Sequence, residues 1–381
     1  MLSALAAQGF VALSQGGKKE EKRTSKGVEH TLIETKEKSS IRWQSDGAQS
    51  GNAVDLCGYY TSALHSLQEE VEKKFVGKKE QADILGAVYS VLDMDTRSYR
   101  VLNCGSFLEF AVTEEKAKLQ HANFCRDRLC PMCNWRRSLK IFSQVSKVMD
   151  ALQADGYQFL FLTLTVRNCS AEDLPKTVQA LYNGWRHLYH KNKEFRSVIA
   201  GTFRSLEVKR KLDVSRLNPW WGTYHPHLHC ILAVKPSYFK KGYISQRQWT
   251  QLWRDAVGLD YDPIVHIEKC YLKDAKGTKQ TEGIDIVKAV AEATKYAVKG
   301  SDYLDGADVG LSAETVSHLL DALTARRLCG WTGCFQKVRK ALNLDDCESG
   351  DLVHTDDDTI REDVACMIVR YAWRAGVYQR V

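Results

Sequence analysis

Long hydrophobic runs are missing from this 381-residue sequence. Its most apolar stretch, Tyr157 to Val166, is about half of the ~20 residues a membrane-spanning helix needs. The first thirteen residues are mildly apolar, but no basic segment precedes them and Lys18-Lys19 follows, so a secretory signal is not expected. No Gly-x-x-x-x-Gly-Lys-Ser/Thr loop occurs, so the chain carries no P-loop nucleotide motor. No repeat with a period of 20–50 residues is present either. These absences leave an ordinary globular chain of two or three domains. With no membrane association and a reducing, cytoplasmic setting expected, its 12 cysteines read as thiols or metal ligands rather than disulfides.

Net charge is +7, but it is unevenly placed. Residues 345–363 hold nine acids against one base, Arg361, which leaves the remainder of the chain strongly basic. Between Arg186 and Arg216 there are nine bases and three acids. Such a body suits a phosphate-backbone partner, although a solvated basic face would look the same.

Four regions follow from composition and periodicity. Residues 1–50 mix Lys, Glu, Ser, Gly and Gln without periodicity and read as a flexible tail. Residues 51–155 form a cysteine-containing region ending in a helix, with Arg137, Ile141, Val145 and Val148 at helical spacing and Gly156 as the stop. In 156–305, strands are expected at Tyr157–Val166, Thr202–Lys209, His227–Val234 and Ile264–Tyr271. Helices are expected from Ser170 to about Lys191, from Ser245 to Val257, and over Ile286–Lys299, the last capped by Asp285 and ended by Gly300. Residues 306–381 read as a helical region with the acidic segment. The fold class is therefore α+β, a sheet with helices on one face.

The strongest short signal is His225-Pro-His227-Leu-His229 at the head of an apolar strand. Strand side chains alternate, so the three imidazoles share one face, and His227 and His229 can grip one divalent cation. The third ligand is either Glu207, a carboxylate amid apolar strand neighbours, or His225. A second signal is the helix after Asp285, where Lys288, Glu292, Tyr296 and Lys299 fall on one stripe. There a tyrosine between lysines can attack a phosphate whose charge the lysines neutralise. A third is Cys125-Arg-Asp-Arg-Leu-Cys130-Pro-Met-Cys133, a knuckle fit for structural zinc, with Cys104 or His121 as the fourth ligand. A redox pair is the alternative, but the surrounding Arg126, Arg128, Arg136 and Arg137 favour a basic zinc module at DNA. Cys329 and Cys334, flanking Gly330-Trp-Thr-Gly333, lack a second pair and read as ordinary thiols.

Phe161-Leu-Thr-Leu-Thr165, His225-Pro-His227-Leu-His229 and Lys295-Tyr296-Ala-Val-Lys299 occur in that order and, with the cysteine block, resemble the motifs of plasmid rolling-circle replication initiators. These are the HUH endonucleases of small Gram-positive plasmids, and the resemblance covers about residues 100–305. It implies an HUH-type antiparallel sheet with flanking helices, an N-terminal zinc-binding region and a C-terminal helical region. It implies that His227 and His229 ligate Mg²⁺ or Mn²⁺. It also implies that Tyr296 nicks one strand at the plasmid double-strand origin, keeping the 5′ phosphate and freeing a 3′ hydroxyl primer, with Lys299 as the motif lysine. Glu292 matches a carboxylate found there in one branch, and Tyr303 is the rival nucleophile. Expected partners are origin DNA, single-stranded or hairpin at the nick, together with a host helicase and DNA polymerase. An HUH transposase or relaxase shares these motifs. A non-enzymatic zinc DNA-binding regulator would leave the histidines and tyrosine unused.

Overall fold

The computed structural model describes residues 56–113, 116–271, 283–295, 298–355 and 366–381; the expected tail lies outside them. Helix α1 (Leu56–Val71) continues through one π-helical turn into α2 (Gly77–Val91), and α3 (Asp95–Leu102) packs back on α2. Strands β1 (Phe107–Val112) and β2 (Ala117–Ala122) pair antiparallel and lead into the long helix α4 (Pro131–Ala154). Pro131 sits in its first turn, where a missing amide is harmless. Gly156, at φ +83°, closes the other end as Tyr157 N–H donates to the Leu152 carbonyl.

The central sheet then builds from β3 (Gln158–Thr165), helices α5 (Leu174–His190) and α6 (Lys193–Val198), and strands β4 (Ile199–Arg210) and β5 (Tyr224–Val234). After them come α7 (Tyr238–Lys241), α8 (Gln246–Val257), β6 (Val265–Tyr271), β7 (Ile284–Asp285) and α9 (Ile286–Ala293). A short 3₁₀ turn at Gly300–Asp302 precedes α10 (Val309–Leu323), β8 (Cys329–Thr332), α11 (Gly333–Ala341), β9 (Met367–Arg374) and β10 (Val377–Arg380). The six-stranded sheet has the order β7-β6-β3-β5-β4-β8, antiparallel except for β6–β7, and a four-stranded antiparallel sheet has the order β10-β9-β1-β2. The fold is α+β with antiparallel sheets. Residues 55–381 form one compact unit.

Several expectations change here. Helices cover both faces of the large sheet rather than one. Leu160, Leu162, Leu228, Leu232 and Leu206 point toward α5 and α8, in a core with Val178, Trp185, Trp249 and Trp253. Phe159, Phe161, Ile231 and Phe203 point the opposite way, against Val145 and Val148 of α4 and Val290 of α9. Both faces of β3 and β5 must therefore be apolar over this half, which is why these strands read as unbroken hydrophobic runs. Asp173, not Ser170, stands at the N-cap of α5, and the Ser170 hydroxyl accepts from the Asp173 amide just outside the helix. The helix drawn over Ile286–Lys299 stops at Ala293, although Asp285 caps it as expected by accepting from the Lys288 amide. The Ser205 hydroxyl donates to the Ala293 carbonyl at 2.6 Å, engaging an acceptor that a continuing helix would offer to a later amide. Finally, the C-terminal region is not purely helical: β8 joins the large sheet and β9–β10 complete the small one.

Candidate functional site

The odd-numbered face of the three central strands changes character along its length. Antiparallel register lines up Phe161, Ile231 and Phe203 in one row, then Thr163, His229 and Ser205, then Thr165, His227 and Glu207, with His225 opposite Lys209 beyond. The first row lies under helix α4 and is apolar. The next rows are polar but still buried, with Ser205 bonded to the end of α9. Alternation alone thus assembles a cluster of two imidazoles and a carboxylate from strands that are otherwise hydrophobic.

Within that cluster, Glu207 Oε2 lies 2.9 Å from His229 Nε2 and 3.2 Å from His227 Nε2, and the two Nε2 atoms are 3.1 Å apart. Glu207 is only 3% exposed. Two donor N–H groups cannot both face each other and share one oxygen comfortably, so the arrangement suits lone pairs aimed at a common cation. Neighbouring donors at about 2.1 Å from a six-coordinate ion are ~3.0 Å apart, which these spacings match. His227 Nδ1 faces the His225 carbonyl at 3.2 Å, which places its proton on Nδ1 and leaves Nε2 free to ligate, and His229 Nδ1 faces the Thr163 hydroxyl at 3.2 Å, a partner that accommodates the same tautomer. Phe161 stacks on the His229 ring. Burial opposes ionisation of Glu207, but the His227 and His229 rings in contact with it outweigh burial and hold the carboxyl well below its usual range, the same pull that a cation shared by the three groups would exert.

His225 stays outside this group. Burial pushes it down to about 4. As a neutral ring its Nδ1–H donates to Asn168 Oδ1 at 2.9 Å, while Asn168 Nδ2 donates to Thr223. Glu292 lies at the end of α9, ion-paired with Lys295, and its charge reaches His229, where it partly offsets the depression that burial imposes. Because α9 ends at Ala293, Lys299 is not on its stripe; it is exposed and precedes the 3₁₀ turn. Tyr296 lies outside the described residues. Tyr303 is buried, and its hydroxyl donates to the Leu129 carbonyl.

A second cluster joins Cys104, from the turn after α3, to Cys125 and to Cys130 and Cys133 at the start of α4. Sulfur–sulfur distances are 3.6 Å for Cys104–Cys133, 3.6 Å for Cys130–Cys104 and 3.7 Å for Cys125–Cys133. Four sulfurs about a tetrahedral ion with metal–sulfur bonds of ~2.3 Å lie about 3.8 Å apart, so this set fits zinc. Amides of Cys125, Arg126 and Asp127 donate to the sulfurs of Cys104, Cys133 and Cys125 respectively. Hydrogen bonds from the other three sulfurs, Cys104 first, push the Cys133 thiol down, and Arg137 adds to this. His121 takes no part: it is exposed on β2, 3.7 Å from Glu109.

The arginines beside the knuckle are used internally. Arg136 donates to the carbonyls of Leu352 and Val353, Arg137 to those of Glu348 and Asp127, and Lys140 to Asp345. Arg128 reaches the Leu323 carbonyl. The described part of the acidic segment is thus docked on α4, largely through its backbone carbonyls and the Lys140–Asp345 pair, so Arg136, Arg137 and Lys140 are spent inside the fold rather than on an open basic face. Among the described residues no helix is long and apolar enough to cross a membrane.

Residues 116–379 match the family described as "Replication protein". The chain belongs to this family. "Protein rep" of Bacillus amyloliquefaciens is 37% identical over 318 residues, covering 79% of this chain and 91% of the relative. "Protein rep" of Lactiplantibacillus plantarum is 38% identical over 269 residues, 69% of this chain and 80% of the relative. A "Replication protein" of Staphylococcus aureus is 33% identical over 246 residues, 64% of this chain and 96% of the relative. No solved structure matches. In this replication protein, Asn168 and Thr163 orient the histidine strand, and sequence reading missed both in that role. Thr163 stood in a quoted strand motif without an assigned contact, and nothing in the pattern Val166-Arg-Asn168-Cys169 marks Asn168.

Proposed function

We propose that this replication protein initiates plasmid rolling-circle replication by nicking one strand of the origin through Tyr296. The observation that carries the reading is the convergence of Glu207, His227 and His229 on one buried point of the sheet. Ala293, three residues before Tyr296 in the sequence, is fastened to Ser205 in the row next to that point. Glu207, His227 and His229 would hold a divalent ion, Mg²⁺ or Mn²⁺, which when bound would polarise the scissile phosphate. The Tyr296 phenol gives up its proton to solvent as its oxygen attacks phosphorus, the P–O3′ bond breaks, and the departing 3′ oxygen takes one proton back from solvent to become the primer hydroxyl. The 5′ phosphate stays on Tyr296 as an ester that retains the bond energy, so strand closure needs no ATP. Lys299 neutralises phosphate charge, and Glu292 activates a water for hydrolytic release at termination. Burial of Tyr303, with its hydroxyl committed to a backbone carbonyl, favours Tyr296 over it.

Cys104, Cys125, Cys130 and Cys133 hold a structural Zn²⁺ that ties α3, β2 and α4 together. The scissile strand enters single, from a melted or hairpin origin, and a host helicase and polymerase act next in the cytoplasm. A non-enzymatic zinc regulator has no use for the buried triad. Incubation with a single-stranded origin oligonucleotide and Mn²⁺, followed by a denaturing gel, tests the proposal. A covalent protein–DNA species is expected, and tight binding without one would contradict it.

A further inference from the structure

Strands β4 and β5 run past the triad into a loop, residues 211–223, that presents bulky apolar side chains to solvent. Leu217 is 95% exposed and Trp220 55%. The loop is nonetheless tightly braced. Lys211 N–H donates to the Thr223 carbonyl and Gly222 N–H to the Lys211 carbonyl, closing its neck. Trp221 N–H donates to the Asn218 carbonyl, Trp220 N–H to Asn218 Oδ1, and the Thr223 hydroxyl to the Trp220 carbonyl. Pro219 removes further backbone freedom. Trp221 is spent on packing, with the Arg210 and Arg216 guanidinium groups 5.9 Å and 5.2 Å from its ring. Among the described residues, Leu217 and Trp220 are instead turned to solvent.

Two further observations point to the occupant. The loop is coupled to the site, because Asn168 bridges Thr223 to His225, whose carbonyl orients His227. Lys211 and Arg216 lie in the loop itself, whereas Arg210 is buried against Glu314 and Lys209 pairs with Glu207 at 3.3 Å. The Lys211–Asp213 and Arg216–Asp308 pairs are exposed and therefore weak, so a phosphate can displace either carboxylate. From Glu207 to Lys211 the strand advances about 14 Å. That is about four stacked base pairs away from a phosphate at the triad.

We propose that Leu217 and Trp220 form an apolar wedge that stacks on the last base pair where duplex DNA opens into the single strand feeding the triad. This deepens the proposed function by naming the DNA form the site selects, and it rests on a single strand occupying the triad face. The test is equilibrium binding without added divalent ion, so that no cleavage is needed. A labelled hairpin with a single-stranded arm is compared with the arm alone, for the wild type, for Leu217→Ser/Trp220→Ala and for Trp220→Phe. Wild type should prefer the hairpin. The double variant should lose at least about tenfold of that preference, and Trp220→Phe, which keeps an aromatic face, should retain it to within about twofold. An unchanged preference in the double variant, or an equal loss on both DNAs, would overturn the wedge. Failure to form a phosphotyrosine would count against the cleavage reading and leave this measurement intact.

Discussion

His229 has its Nδ1 occupied by Thr163, its ring stacked on Phe161 and its Nε2 at 2.9 Å from Glu207. Removing its imidazole takes away a ligand and one stacking partner of Phe161, while the rest of the apolar row keeps its packing under α4. His229→Ala, or His227→Ala, should therefore reduce adduct formation to background while origin binding by gel shift stays near wild type. Normal cleavage by either variant with Mn²⁺ present would refute the triad. The two tyrosines should separate cleanly. Tyr303→Phe leaves the Leu129 carbonyl without its donor and should lower stability by about 1–3 kcal/mol in denaturant titration, with the adduct still formed. Glu292 is the more delicate case, because its ion pair with Lys295 is the bland explanation for its presence. If it activates water, Glu292→Ala should nick normally but release DNA by hydrolysis roughly 10²–10⁴-fold more slowly. Unchanged release kinetics would reduce it to a helix-surface residue.

Among the elements, the helix α4 and its knuckle depend on one another. Cys130 and Cys133 open the helix, and Arg136, Arg137 and Lys140 on its next turns fasten the segment around residues 345–353. Metal analysis should find about one zinc per chain that resists mild chelation, and Cys133→Ser should lose the zinc and lower the melting temperature. Full zinc content in Cys133→Ser would contradict the four-sulfur site. The strands β3, β4 and β5 were legible in sequence because alternation and β-branched or aromatic density are local signals. So was the histidine face. The length of α9 was not, because the contact from Ser205 to Ala293 is set by tertiary placement. The same applies to the fourth sulfur: spacing left Cys104 and His121 equal, and only the pairing of β1 with β2 turns His121 outward toward Glu109.

For the whole molecule, long-range pairing was the illegible part. Residues 367–380 return to pair beside β1, and β8 adds an edge to β4, so a segment read as a helical appendage completes both sheets. The charge asymmetry was visible, but its meaning changed, since described acids pair within the fold, Asp345 with Lys140 of α4 and Asp346 with Arg327. The central claim is metal-dependent attack by Tyr296 on a phosphate held at the Glu207–His227–His229 triad. Its most direct test is peptide mapping of the covalent species formed with single-stranded origin DNA and Mn²⁺, beside Tyr296→Phe. The account predicts one modified residue, Tyr296, linked to the 5′ phosphate of the downstream fragment, and no adduct in the variant. An adduct on Tyr303, a 3′ linkage, or an adduct surviving in Tyr296→Phe would contradict it.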